Sequence, residues 1–305
     1  MVRISFPAMG WSKVAFKALL GVLPGVEIVE PPEVTREVLK LGAEHSPEFV
    51  CHPFKVTLGE FMYMHDKYDV HTFVQAIDCG PCRFGFYAPV QERIMKDLGY
   101  DVTIIPIQQG DLLTFDFIKT FERLSSVNGK LMKWVDYANA IRIFLTKTKY
   151  IEDIVVPENI LRCREVHKDD TSKTVIRLMK KLDETNDAFD LHFFDKIIKE
   201  EFQKLKIKRE MKPLRVTVGG EMHVLWEPFV NMDIMKRFGD EGVEVHPGHT
   251  LYDWVTHKLH VNFRRKVLER YAKEYIPMDI GGEAQWIIGD YIKTQEEGFD
   301  GFVLQ

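Results

Sequence analysis

The stretch Val70-His71-Thr72-Phe73-Val74-Gln75-Ala76-Ile77-Asp78-Cys79-Gly80-Pro81-Cys82-Arg83 decides the fold. Its first eight residues are short, apolar and rich in β-branched and aromatic side chains, as in a strand buried on both faces. A tight Cys-Gly-Pro-Cys loop follows at once. A helical pattern over about 83–98 then runs up to Gly99. Strand, short loop and helix in this order form the unit of a parallel α/β sheet.

Working outward, the same rhythm recurs on both sides. Upstream, strands are predicted at 2–6 and 26–29, the second ended by Pro31-Pro32. Helices are predicted at about 11–23, 33–42 with Gly42 as a stop signal, and 53–66. Downstream, Val102–Ile107 reads as the next strand. Residues 111–208 read as helical at about 112–124, 130–148, 171–184 and 190–207, with one short strand near 154–156. The Lys-rich end of that stretch (Lys204, Lys206, Lys208, Arg209) reads as a solvated helix face. At Pro213 the alternation resumes. Strands are predicted at Leu214–Val218, Val243–Val245 and Phe302–Leu304, and helices at about 229–239, 250–273 and 284–297. The fold class expected is α/β, with two Rossmann-like parallel-sheet domains and a helical insertion between them. The domains are 1–110, carrying the cysteine motifs, 111–212 as the insertion, and 213–305. The chain stops one residue after Leu304, where the loop following a strand would begin, so a truncated second domain is expected.

The 305 residues suffice for about two domains. Hydrophobic residues at 45% and charged residues at 29% are those of a globular protein. Lys+Arg 41 against Asp+Glu 46 leaves −5, which argues against a nucleic-acid partner. No apolar run reaches the ~20 residues of a membrane span. Lys13 and Lys17 interrupt the N-terminal apolar stretch, so it is not a signal peptide. A cytoplasmic location is expected, without a membrane partner.

Four cysteines are too few for a disulfide scaffold. Three stand beside Pro or Gly: Cys51 in Cys51-His52-Pro53-Phe54-Lys55, and Cys79 and Cys82. Cys163 stands alone among charges. A CxxC at a helix start supports two chemistries. One is dithiol redox, since a helix N-terminus lowers a thiol's pKa. The other is ligation of an anionic iron–sulfur cluster. Two small buried thiols are the plain alternative, and for Cys51 a hydrophobe-like core thiol. Arg83 is a charge partner for a cluster or anionic substrate, or a surface helix residue. Glu221, after Gly219-Gly220, is a site carboxylate or a helix-terminal charge. Asn231 is a polar site residue or a cap, the cap being preferred. His246, His249, His257 and His260 show no zinc spacing and read as surface or core residues. P-loop, dinucleotide and nucleophile-elbow motifs are absent, so a partner would supply any nucleotide energy.

Taken together, Phe6-Pro7 with Gly10, Glu27-x-Val29-x-Pro31-Pro32, Leu41-Gly42, Cys51-x-Pro53-x-Lys55 and Cys79-Gly80-Pro81-Cys82-Arg83-x-Gly85-x-Tyr87 resemble the 2-hydroxyacyl-CoA dehydratase D-component-like proteins. The branch is the one related to CoA-substrate-specific enzyme activases. Gly220-Glu221, Glu227-Pro228-Phe229-x-Asn231, Gly281-Gly282 and Phe299-Asp300-Gly301 agree. The resemblance implies an oxygen-sensitive, anaerobic iron–sulfur protein that takes a low-potential electron from an ATP-dependent activase. The cofactor would be a 4Fe-4S cluster, or the 8Fe-9S double cubane of related proteins. The chemistry would be radical dehydration of an acyl-CoA or reduction of a small molecule, in a homo- or heterodimer. By that resemblance Cys51 matches the first ligand cysteine, and Cys79 and Cys82 fall on the second cysteine motif; on the cluster reading all three are metal ligands, with Lys55 and Arg83 offsetting cluster charge. Glu221 is the catalytic carboxylate, and the cluster lies in a cleft facing the second α/β part. The family supplies a further cysteine just after the strand corresponding to Phe302–Leu304, and this sequence ends before it. Two other readings stand beside this one: a thiol–disulfide oxidoreductase using Cys79 and Cys82, and a non-catalytic cluster-carrying scaffold subunit.

Overall fold

The computed structural model describes residues 1–77, 82–108, 122, 133–259, 261–278 and 280–305. It is a mixed α/β protein with two parallel sheets. The chain divides into two compact units, Met1–Arg142 and Ile143–Gln305.

In the first unit, β1 (Val2–Ser5), α1 (Lys13–Leu20), β2 (Val26–Ile28), α2 (Arg36–His45), α3 (His52–Tyr68), β3 (Thr72–Ile77), α4 (Tyr87–Asp97) and β4 (Thr103–Gln108) follow one another. The sheet order is β2-β1-β3-β4, all parallel. The chain steps from β1 to β2 on one side and then returns to place β3 on the other. The order therefore reverses between β1 and β3. Ligands of open α/β sheets bind outside the strand carboxyl ends at such a point.

Helix α3 is the buried helix of this unit. Phe54, Leu58, Phe61 and Met62 pack against Phe73, Val70, Met95 and Tyr87 in one core. Its partner α2 lies against it at two glycines. A Cβ on Gly42 would stand 1.8 Å from the Lys55 carbonyl oxygen, and one on Gly59 would stand 2.0 Å from that of Val38. Gly42 is thus not the helix stop that composition suggests. The helix runs on to His45, and the glycine is there for backbone contact.

The second unit begins within α5 (Trp134–Leu161) and continues through α6 (Asp170–Glu184), α7 (Ala188–His192) and α8 (Phe194–Gln203). The strand expected near 154–156 lies inside α5. Ile154 has β-branched neighbours, but Phe144, Ile151 and Ile154 are all buried at helical spacing. Tertiary burial at that period overrides local β propensity. The helix expected at 112–124 lies, apart from residue 122, outside the described residues. β5 (Arg215–Gly219), α9 (Met222–Trp226), α10 (Ile234–Asp240), β6 (Glu244–Pro247), α11 (Leu251–Lys258), α12 (Arg264–Ala272), α13 (Ala284–Glu296) and β7 (Gly301–Leu304) complete the unit. The sheet order is β6-β5-β7, all parallel, so it reverses between β5 and β7.

The helices before β5 are tied to this sheet layer through Arg162. The side chain is 2% exposed, and its guanidinium donates to Glu158 Oε1 (2.5 Å), Ser172 Oγ (2.6 Å) and Asp240 Oδ1 (3.4 Å). Gly239 of α10 makes room for it, since a Cβ there would stand 2.5 Å from Arg162 Cδ. No helix among the described residues is long and apolar enough to cross a membrane.

Candidate metal centre

Cys51 is the N-cap of α3, in extended backbone conformation, with Pro53 in the first turn. Proline suits that place because its missing N–H has no intrahelical partner there. Cys82, five residues after the last residue of β3, is the N-cap of a 3₁₀ turn, Arg83–Phe86, which runs into α4. Neither sulfur is spent on a capping hydrogen bond. Both thiols are free of disulfides and partly exposed.

Three contacts bring the two cysteine segments together. Arg83 Nη1 donates to the Phe49 carbonyl at 2.7 Å, linking the Cys82 turn to the chain just before Cys51. Phe54 and Tyr87 meet edge to face, ring centroids 5.1 Å apart. Gln91 Nε2, wholly buried, donates to the Phe54 carbonyl (3.2 Å) and Thr57 Oγ1 (2.7 Å). The beginnings of α3 and α4 are thereby held side by side at the carboxyl end of β3. Cys79, the third expected ligand, lies outside the described residues. Among the described residues no three His, Cys, Asp or Glu side chains form a metal-ligand group.

Lys55 Nζ donates to the Glu48 carbonyl at 3.3 Å, next to the carbonyl that Arg83 holds. Both cations therefore brace the 48–49 turn from the two sides of the cysteine segments. Burial, with the Lys55 charge adding to it, pushes His52 below its ordinary value. His52 next to Cys51 is thus neutral at pH 7.

One residue was not singled out from sequence. Glu60, on α3, is 1% exposed, and its Oε1 accepts from the Ala8 amide at 2.9 Å. Ala8 is on the loop leaving β1, so this carboxylate ties α3 to the strand-order reversal. The available signal was a glutamate whose helical neighbours Val56, Phe61 and Met64 are all apolar.

The other expected residues lie in the second unit. Glu221 caps α9, its Oε2 accepting from the Val224 amide at 2.9 Å. Of its two sequence readings, the structure supplies the helix-terminal one. Desolvation, with Glu283 adding to it, still raises its pKa. Gly220 before it, at φ +156°, leaves no room for a side chain, since a Cβ would stand 2.1 Å from the Gln305 carbonyl oxygen. Asn231 is buried and donates to the Val224 and Leu225 carbonyls, closing the end of α9. His246 bonds Glu244 at 2.6 Å, and His257 packs on Trp286. Cys163 is buried, and desolvation raises its thiol pKa. No protein-family model and no curated protein matches this chain.

Proposed function

We propose that this chain is an iron–sulfur protein of the 2-hydroxyacyl-CoA dehydratase type, accepting a low-potential electron from an ATP-dependent activase. One observation carries the reading. Two cysteines with uncommitted sulfurs begin adjacent helical segments beside the strand-order reversal of a parallel sheet. Arg83 latches those segments to each other.

The residues present fit such a group chemically. Cys51 and Cys82 would hold it, joined by Cys79 from the same CxxC. The positive end of α3 favours anionic sulfur at its N-cap. Lys55 and Arg83 add positive charge and keep the 48–49 turn in place. Neutral His52 adds no charge of its own. When bound, a cluster of this kind supplies one-electron transfer at low potential. The acyl-CoA or small-molecule substrate and a dimeric assembly belong to the same proposal.

Iron and acid-labile sulfide on anaerobically purified protein test it. About four of each per chain, falling in Cys51→Ala, is the expected result, and about eight irons would favour the double cubane. Iron-free protein whose Cys79 and Cys82 cycle between dithiol and disulfide would overturn it in favour of thiol–disulfide exchange.

A further inference from the structure

The second unit contains a buried polar cluster at the carboxyl ends of β5 and β6 that the iron–sulfur reading does not use. Arg265, on α12, is 1% exposed, and none of its guanidinium nitrogens has a hydrogen-bond partner among the described residues. It is nevertheless held in place. Its Cζ lies 3.4 Å from the centre of the Trp286 ring, and Trp286 Nε1 is fixed by Glu269 Oε1 at 3.0 Å. Three other groups are left unsatisfied nearby. Among the described residues both carboxylate oxygens of Glu283 lack a hydrogen bond, as do both ring nitrogens of His249 and Oδ2 of Asp290. His249 Nε2 stands 3.3 Å from Glu283 Oε2, within ion-pair range but without hydrogen-bond alignment.

This is where a parallel sheet presents ligands. Gly248 and His249 follow β6 directly, and a Cβ on Gly248 would lie 3.1 Å from Asp290 Oδ2 and 3.2 Å from Gly219 Cα. The adjoining Arg264 is already spent. It donates to Asp253 Oδ2 and the Gly248 carbonyl, both at 2.6 Å, and lies 3.6 Å from Asp290 Oδ1. Arg265 thus has three nitrogens with unused donors, within reach of the charges of two carboxylates, Glu283 and Asp290, that have unused acceptors. Leaving buried charged groups without hydrogen bonds is costly.

We propose that this cluster is the binding site of a small amino-acid zwitterion, whose carboxylate Arg265 receives and whose ammonium Glu283 and Asp290 receive. A simple anion would meet the same two carboxylates and be repelled. A simple cation would leave the guanidinium unanswered. A molecule carrying both charges two bonds apart answers both sets. Burial pushes Arg265 down only to about 10, so it stays charged at neutral pH. The inference is independent of the iron–sulfur reading, and its test needs no cluster.

The test is a thermal-shift screen of the full chain against each of the twenty L-amino acids at about 10 mM, enough to register a dissociation constant near 100 μM. Each hit is compared with its des-amino acid and its decarboxylated amine, then titrated calorimetrically. At least one amino acid should raise the melting temperature while neither fragment does. Glu283→Gln should weaken it at least tenfold. Arg265→Met should abolish binding and raise the ligand-free melting temperature by about 2–10 °C, because a desolvated guanidinium without hydrogen bonds is replaced by an apolar group of similar length. A screen with no shift overturns the proposal. So does a des-amino acid that binds as well as its parent, or a Glu283→Gln protein of unchanged affinity. An Arg265→Met protein that melts lower than the native chain would show that the guanidinium serves the fold, which also overturns it.

Discussion

Replacing Gly59 by alanine tests the contact that seats the Cys51 helix. Two effects of opposite sign compete. In a helix interior alanine is better than glycine by about 0.5–1 kcal/mol, so propensity alone predicts a stabler protein. Geometry predicts the reverse. The new Cβ would lie 2.0 Å from the Val38 carbonyl oxygen, 2.9 Å from the Gly42 nitrogen and 3.0 Å from the Val38 carbonyl carbon. A carbon–oxygen contact relaxes only near about 3.3 Å, so α2 and α3 must separate by more than about 1 Å. The clashing atoms are backbone and cannot rotate away. Overpacking of this kind costs about 3 kcal/mol, leaving a net loss of about 2 after the propensity gain. For a unit the size of Met1–Arg142 that is a fall of about 6–8 °C in melting temperature. Thermal and urea melts followed by circular dichroism measure it. Because the N-cap of α3 is Cys51, the iron content that the proposed cluster predicts should fall as well. A Gly59→Ala protein as stable as the native chain, or stabler, would refute the claim that α2 and α3 meet backbone to backbone.

Other substitutions probe the remaining joints. Gln91→Leu removes both bonds to the first turns of α3 and should cost about 1–3 kcal/mol in a urea melt while speeding alkylation of Cys51; unchanged alkylation would mean that Gln91 does not hold the cysteine segments. Arg162→Ala leaves Glu158 and Asp240 without their buried partner and should cost about 3–5 kcal/mol, with a loss below about 1 counting against the tie between the helices and the second sheet. Burial raises the Asp290 carboxyl to about 6, against an ordinary 3.8, with Arg264 only partly offsetting it. Between those values the folded state holds more protons than the unfolded one, so stability falls as pH rises from about 4 to 6 and stays low above. Asp290→Asn should therefore stabilise the protein at pH 7.5, by up to about 3 kcal/mol, and not at pH 4; equal effects at both pH values would exclude this cause.

What the amino-acid sequence determined by itself was the local layer of this structure. The central strands β1 and β3 were legible because each contains a short apolar stretch that ends in buried or half-buried positions, as a strand inside a parallel sheet requires. The start of α3 was legible because N-cap and first-turn chemistry is local: Cys51 and Pro53 lie within one turn of each other. The tertiary structure decided everything that depends on a distant partner. Gly42 read as a helix stop, since its real constraint is the Lys55 carbonyl of another helix. Residues 154–156 read as a strand, since the core that buries Ile154 is assembled from elsewhere in the chain. Glu60 went unnoticed because Ala8, whose amide it accepts, is 52 residues away. The cluster of His249, Arg265, Glu283 and Asp290 was equally hidden. Its members come from a loop, two helices and the turn before one of them, and no spacing in the sequence joins them. A charged side chain is ordinary in water, and only the packing that removes the water makes Arg265 a group in need of a partner.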